Sequence, residues 1–331
     1  MFAIHAIRAI RAFRALGLGC VALLTPLYAQ DYPGKTVTIV VPFTAGGGVD
    51  NVARLLADKL RVTLKQNVVV DNKPGASGML GANAVAKAAP DGHTVLLGSA
   101  GETAINPHIY KGRMQYSPEK DLAPITLVSR VPNVMVVAPT LPVKNIEEFV
   151  ALGKKSSKKL SYSSSGIGNV QHLNGELLEE LAGIGLIHAP YKGAAGQLAD
   201  VTTGVVDATF TSYAAARPFI QAGRVKVIAV TSAKRMPSTP EVPAIAEYAP
   251  LAKYRLENWF ALFAPAGTPA AVQEKLNAAV VAALNDAEVA KRMREAGFEP
   301  APMSIAQFKD FVKTESAAFA RIVEVAKVVA E

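Results

Sequence analysis

Apolar positions along this chain follow two alternating rhythms, and the alternation itself predicts a fold class. The run Thr36-Val37-Thr38-Ile39-Val40-Val41-Pro42-Phe43 is rich in β-branched residues and reads as a buried strand. It stops at Thr44-Ala45-Gly46-Gly47-Gly48-Val49-Asp50, after which Val52, Leu55, Leu56, Leu60 and Leu64 recur at three- and four-residue steps. That spacing predicts a helix with Asp50 as its N-cap. A second strand, Val68-Val69-Val70, ends in Asn72-Lys73-Pro74-Gly75-Ala76-Ser77-Gly78, and a helix follows over about 79–88. A third strand from Thr94 to Gly98 exits into Ser99-Ala100-Gly101-Glu102-Thr103. Strand, small-residue turn and helix, three times over, predict an α/β chain with a parallel sheet and right-handed crossovers.

The rhythm resumes after residue 130. Leu160-Ser161-Tyr162-Ser163-Ser164 reads as a short strand, Ser165-Gly166-Ile167-Gly168-Asn169 as its turn, and Leu173, Leu177, Leu178 and Leu181 as a helix stripe ending at Gly183. Strands are expected over 207–212 and 225–232, and helices near 197–203 and 214–222. The stretch 233–256 carries Pro237, Pro240, Pro243 and Pro250 and reads as extended connection. Trp259–Ala264 is expected as a core strand, followed by helices at about 269–285, 286–296 and 304–330. No fixed-period repeat is present.

The first thirty residues have a different character. Arg8, Arg11 and Arg14 precede an apolar run from Ala15 to Leu24, and Leu27-Tyr28-Ala29 gives a small-residue exit. This is the order of a secretory signal peptide, residues 1–29, cut near Ala29. Ten apolar residues fall short of the roughly twenty that span a bilayer. Cys20 has Gly17 where a lipidation box places Leu, so it reads as a small residue within the signal core.

Composition sharpens this reading. The chain has 331 residues, half of them hydrophobic, which suffices for a large core and excludes a disordered chain. Without residues 1–29 the formal charge falls from +8 to +5, 302 residues remain, and no cysteine is left. A lone cysteine leaves neither an intramolecular disulfide nor a cysteine metal cage. Nucleic acid is an unsuitable partner for an exported chain, and the Lys154, Lys155, Lys158 and Lys159 cluster reads as a solvated helix end.

Chemistry concentrates in the turns after strands. In a parallel sheet such turns meet at the carboxyl edge, where ligands bind. Glycine admits a close approach, and helix starts offer unpaired N–H groups. The first turn supplies Phe43, Thr44, Ala45, Gly46 and Gly47; the second Gly75, Ala76, Ser77 and Gly78; the third Ser99 and Gly101. From the second half come Ser164, Ser165, Gly166, Gly168 and Asn169, with Lys192 and Gly193 at the mouth of the cleft. Such turns would hold an anion through amides and hydroxyls. The nucleotide-binding glycine patterns are incomplete, since no Lys-Ser/Thr follows Gly46-Gly47-Gly48. His93, His108, His172 and His188 lack metal-ligand spacing, so no metal and no cofactor are expected. Ser164 and Ser165 lack an acid–histidine pair placed in sequence to activate them and suit ligand donation better. Trp259 and Phe260 read as core, and His172 as a structural contact.

The motifs together resemble a known family. Pro42-Phe43-Thr44-Ala45-Gly46-Gly47-Gly48-Val49-Asp50 with Ala53-Arg54, Asn72-Lys73-Pro74-Gly75-Ala76-Ser77-Gly78, Asn106-Pro107, Tyr162-Ser163-Ser164-Ser165-Gly166 with His172-Leu173, Pro190-Tyr191-Lys192-Gly193 and Ala264-Pro265-Ala266-Gly267-Thr268-Pro269 occur collinearly. This order resembles the Bug family, periplasmic solute-binding receptors of tripartite tricarboxylate transporters. Lys73, Ser77 and His93 depart from its usual Arg, Gly and Tyr. The resemblance implies a two-lobed Venus-flytrap fold, each lobe a mostly parallel sheet flanked by helices. Lobe 1 would comprise 31–130 plus 255–331, and lobe 2 would comprise 131–254. It implies a monomer that grips a small organic carboxylate (a di- or tricarboxylate or related acid) through amides, hydroxyls and water. Turns 44–47 and 75–78 would match the family's carboxylate-gripping loops. The expected partners are membrane permease subunits or a sensor kinase, and a serine hydrolase on the same architecture is the catalytic alternative.

Overall fold

The computed structural model describes residues 32–325 and 327–329; the signal segment, with Cys20 and Ala29, lies outside the described residues. The three predicted strand–helix units of the first half form as β1 (Val37–Val41), α1 (Gly48–Leu64), β2 (Val68–Asn72), α2 (Met79–Ala86) and β3 (Thr94–Ser99). Both β2 and β3 run parallel to β1. The leucine stripe of α1 folds as its spacing requires, burying Val52, Leu56 and Leu60 against the sheet. Short helices α3 (Asn106–Ile109) and α4 (Pro118–Asp121) lead into β4 (Leu122–Val131).

After Pro132 the chain enters a second sheet. Its elements are β5 (Asn133–Val137), α5 (Ile146–Lys155), β6 (Leu160–Ser164), α6 (Val170–Ala182), β7 (Leu186–Pro190), α7 (Ala194–Thr203), β8 (Ala208–Ser212), α8 (Tyr213–Gln221) and β9 (Lys226–Val230). The connection 231–257 holds two short 3-10 turns, Ile245–Glu247 and Ala249–Leu251, where a plain extended segment was expected. It returns the chain to the first sheet as β10 (Asn258–Pro265), α9 (Ala270–Asn285), α10 (Ala287–Glu295), β11 (Glu299–Pro300) and α11 (Ile305–Val325).

The sheets are mixed. Strand order is β11-β4-β10-β3-β1-β2 in the first and β7-β6-β8-β5-β9 in the second. Only the βαβ portions pair in parallel; β10 is antiparallel to β3 and β4, and β5 to β8 and β9. By strand direction both sheets are mostly parallel, as expected: β1 to β4 run together in the first with β10 and β11 reversed, and β6 to β9 run together in the second with β5 reversed. A strand that enters from the other lobe needs no helical crossover and is free to pair antiparallel.

The two passages between lobes lie side by side. Asn133 donates its N–H to Thr231 Oγ1 at 2.9 Å, and Thr231 N–H donates to the Asn133 carbonyl at 2.9 Å. One apolar core fills the second lobe around Phe149, Tyr162, Phe210 and Tyr254. The first sheet carries a core on each face, one around Ile39, Leu56 and Val280, the other around Leu96, Trp259 and Phe308. Val170 and Leu173 of α6 join this last cluster, so the start of a second-lobe helix packs on the first lobe.

Candidate functional site

A narrow cleft with a cavity volume of about 40 Å³ lies between the lobes. From the first lobe it is lined by Phe43, Gly47, Gly48, Val49, Ser99, Asn258 and Phe260. The second contributes Asn133, Ser165, Asn169, Gln171, Ala194, Thr211 and Ser212. No side chain in this lining is charged.

Of the helix N-termini that border the cleft, two have no side-chain cap. Gly47 stands at the N-cap position of α1 and Gly193 at that of α7, whereas α5 and α6 are capped by Asn145 and Asn169. An uncapped helix start leaves its first N–H groups for another acceptor. The sequence reading placed Asp50 as N-cap; it lies within the first turn of α1 and reaches back instead. Its carboxylate is nearly fully buried and accepts hydrogen bonds from Gly46 N–H (2.9 Å), Arg54 Nε and Nη2 (both 2.9 Å) and Asn72 Nδ2 (3.0 Å). Asn72 Nδ2 also donates to the Phe43 carbonyl at 3.0 Å. Burial pushes the Asp50 carboxyl up, but hydrogen bonds from Arg54, Gly46 and Asn72 outweigh it and hold the group below its ordinary value. Asp50 thus pins the 43–48 loop from behind, with its charge matched by Arg54.

Several side chains around the cleft share one polarity. Asn169 accepts from His172 N–H through Oδ1 at 2.9 Å, and its buried Nδ2 has no protein partner. Gln171 Oε1 accepts from Ser165 N–H at 2.7 Å. Ser165 Oγ accepts from Gln197 Nε2 at 2.6 Å, which leaves its proton to be donated. Asn133 Nδ2 and Thr211 Oγ1, both buried, likewise lack partners. Buried polar groups are normally paired, so such a concentration of unpaired donors marks a place where an acceptor belongs.

The predicted residues divide into four groups. Phe43, Gly47, Ser99, Ser165 and Asn169 line the cleft. Thr44, Ser77, Gly101, Gly166, Gly168 and Gly193 lie where the lobes touch: a Cβ on Gly166 would collide with Ser77 Oγ, one on Gly193 with Thr44 Oγ1, and one on Gly101 would stand 3.2 Å from Asn169 Cβ. Gly75, Gly78 and Ser164 sit behind these surfaces. Ala45, Gly46, Ala76 and Lys192 are exposed, and Lys192 does not line the cleft. Ala76 and Ser77 both have left-handed backbone (φ 46° and 53°), a conformation costing roughly 1–2 kcal/mol per non-glycine residue. The 75–78 loop therefore holds a strained shape against the opposite lobe.

A family model described as tripartite tricarboxylate transporter family receptor matches residues 52–328. The chain belongs to this receptor family. Among solved structures, the periplasmic binding protein BugD is 37% identical with a TM-score of 0.85, covering 91% of this chain and 100% of its own. Rpa4515 of R. palustris, solved with adipate, is 35% identical with a TM-score of 0.87, covering 90% and 99%. MatC from Rhodopseudomonas palustris, with bound malate, is 32% identical with a TM-score of 0.82, covering 88% and 100%. The two-lobed periplasmic binding protein fold follows from these likenesses.

In this receptor, sequence reasoning missed Gly48, Val49, Asn133, Gln171, Ala194, Thr211, Ser212, Asn258 and Phe260. Phe260, read as core, presents its ring edge to the cleft: a Cβ on Gly48 would lie 3.2 Å from Phe260 Cζ and 2.7 Å from Ser212 Oγ. The signal was present as Asn133, Thr211 and Ser212, polar residues at the ends of otherwise apolar strands. The serine reading is also corrected. Ser164 Oγ lies 2.6 Å from His188 Nε2, and the His188 ring stacks on His172 at 4.0 Å. His172 in turn lies 3.4 Å from Glu176. Parallel pairing of β6 with β7 makes this cluster, which chain order does not show. Ser164 is fully buried, so no substrate reaches it, and burial together with His172 pushes His188 down to about 3. The cluster braces the turn: Gly168 N–H donates to His172 Nδ1 at 3.2 Å, and Ser164 Oγ donates to the Gly166 carbonyl at 2.9 Å.

Proposed function

We propose that the protein is exported to the periplasm after cleavage near Ala29 and closes its lobes, 31–130 plus 255–331 and 131–254, around a small organic carboxylate. It then delivers the acid to a tripartite tricarboxylate-type membrane transporter. The observation that carries this reading is the one-sided polarity of the cleft. Acceptor atoms of Asn169, Gln171 and Ser165 are engaged inside the protein, while the donors of Asn133, Asn169 and Thr211 and two uncapped helix starts face the space between lobes. Such a set receives a ligand made of acceptors, and a carboxylate offers two oxygens and about four lone-pair sites. Phe43, Phe260, Val49 and Ala194 supply an apolar wall for a carbon skeleton. The relatives solved with adipate and malate support the class of ligand.

Because contacts come from both lobes, the ligand stabilises the closed arrangement over the open one, and only that differential shifts the population. The test is calorimetric titration of ligand-stripped protein with mono-, di- and tricarboxylates and matched neutral amides. At least one acid is expected to bind far tighter than millimolar, about −4 kcal/mol. Tighter binding of a neutral amide than of every acid would refute the reading.

A further inference from the structure

One residue beside the cleft breaks the pattern of free donors. Ser99 lines the cleft, but its hydroxyl donates away from it, to Glu102 Oε2 at 2.6 Å, and its N–H donates to Glu102 Oε1. With Glu102 ionised, Ser99 shows the cleft only lone pairs, which repel a carboxylate. Glu102 itself is fully buried in the turn Gly101–Ile105 that follows β3. It lies one layer behind the cleft wall: a Cβ on Gly78 would stand 3.1 Å from both Glu102 Oε2 and Phe43 Cζ.

Among the described residues no cation compensates its charge. From β3 it meets Ser99 and Gly98, from the 75–78 loop Gly78, and from the 43–48 loop Phe43. Tyr116 donates its hydroxyl to the Glu102 carbonyl at 2.6 Å, and burial followed by Glu102's charge pushes that phenol well above its usual range. On α11, Ser316 donates to the Ala104 carbonyl and contacts His108 at 2.8 Å, whose imidazole burial holds below its ordinary value. The Asp50 carboxylate behind the 43–48 loop is engaged by Arg54. A buried carboxylate without a cation is costly in its charged form.

We propose that Glu102 is a proton-binding site coupled to the ligand cleft, so that capture of an acid takes up one proton from solvent. The proposal rests on the carboxylate reading of the cleft. Protonated Glu102 donates to Ser99 Oγ, and Ser99 then turns its own proton toward the ligand carboxylate. One proton enters from water, none leaves, and Ser99 changes from acceptor to donor. Burial already places Glu102 at about 7, against the hydrogen bonds from Ser99, so the switch operates near neutral pH. An arriving anion raises it further. The sign follows directly: affinity is full below the free-state value and falls as pH rises through it.

The experiment is calorimetry of wild type and Glu102→Gln with succinate, malate and adipate, in buffers of different ionisation enthalpy. Wild type is expected to take up as much as about 0.8 proton per ligand at pH 7.5, and its Kd to rise up to about 25-fold between pH 6.5 and 8.5. Glu102→Gln, which mimics the protonated form, is expected to bind with no proton uptake and a flat Kd over that range. Should that variant fail to fold, Ser99→Ala serves, with less than half of the wild-type slope expected. Equal proton uptake in wild type and variant overturns the proposal while leaving the carboxylate reading intact. If none of the three acids binds wild type, the carboxylate reading fails for them and the proposal falls with it.

Discussion

Thr44 and Gly193 face one another across the cleft entrance, and joining them tests whether closure there controls ligand exchange. A Cβ on Gly193 would stand 3.3 Å from Thr44 Cβ, within a few tenths of an ångström of the Cβ separations in disulfides, about 3.5–4.5 Å. The backbone of Gly193 is extended (φ 162°), so cysteine fits without left-handed strain. In a chain lacking residues 1–29, Thr44→Cys/Gly193→Cys supplies the only two cysteines, since Cys20 is the single native one. The bridge closes a loop of about 150 residues, for which chain entropy gives a stabilisation of about 5 kcal/mol. Oxidised without ligand, the variant is expected to admit an acid at least about 100-fold more slowly than when reduced, because entry requires the open lobes. Loaded first and then oxidised, it is expected to retain the acid until reductant is added. Stopped-flow fluorescence of ligand exchange, with and without dithiothreitol, reads both. Unchanged exchange after complete oxidation would sink the idea that the 44–193 contact guards the cleft. Failure to cross-link even with ligand bound would show that the lobes do not meet there.

Two further outcomes follow from the same accounting of partners. Removing the Asp50 carboxylate in Asp50→Ala takes away the shared acceptor of Gly46 N–H and Asn72 Nδ2, leaving Asn72 only the Phe43 carbonyl, and is expected to destabilise the fold by about 1–3 kcal/mol, measured by urea denaturation. Half-exposed Arg54 adds little, being free to hydrate. Because the folded-state value is depressed, this stabilisation is present above about pH 4, the ordinary carboxylate range, and is lost as pH falls through the lower folded value. The gap between wild type and variant should therefore narrow in acid; a gap constant from pH 7 to pH 2.5 contradicts the ionised role. Thr211→Val removes a buried hydroxyl without a protein partner while keeping the side-chain shape. It is expected to raise the ligand-free Tm, corresponding to about 1 kcal/mol, while weakening acid binding roughly tenfold. A lowered Tm with unchanged affinity would place that hydroxyl in the fold instead of the site.

The strand–helix units were legible because β-branched runs and the Leu56–Leu60 spacing are local signals read within a few residues. The turns were legible for the same reason, and Phe43, Gly47, Ser99, Ser165 and Asn169 do line the cleft. What escaped depends on pairing between distant segments. β10 enters the first sheet between β3 and β4 as an antiparallel strand, and this brings Phe260 to the cleft floor although it sits in an apolar run. Asn133 and Ser212 are register partners across β5 and β8, 79 residues apart in the chain. Asp50 shows a subtler limit: its residue type suits an N-cap, but the glycine at 47 takes that position and leaves the carboxylate to hold the loop.

The absence of a cation from the cleft lining has a consequence for release. An arginine or lysine on one lobe would hold the acid even with the lobes apart, since a single charged contact survives opening. Here the donors are divided: the start of α1 belongs to the first lobe, while Asn133, Ser165, Asn169, Thr211 and the start of α7 belong to the second. Each hydrogen bond to a charged group contributes about 1.5–3 kcal/mol. Losing two of them on opening weakens binding by about 3–6 kcal/mol, or roughly 10²- to 10⁴-fold. That differential is what an opening step needs to discharge a ligand held tightly in the closed state. On the proposed function, affinity built from neutral donors on two surfaces would be a property of closure, and a partner that pries the lobes apart would obtain the acid without competing for it.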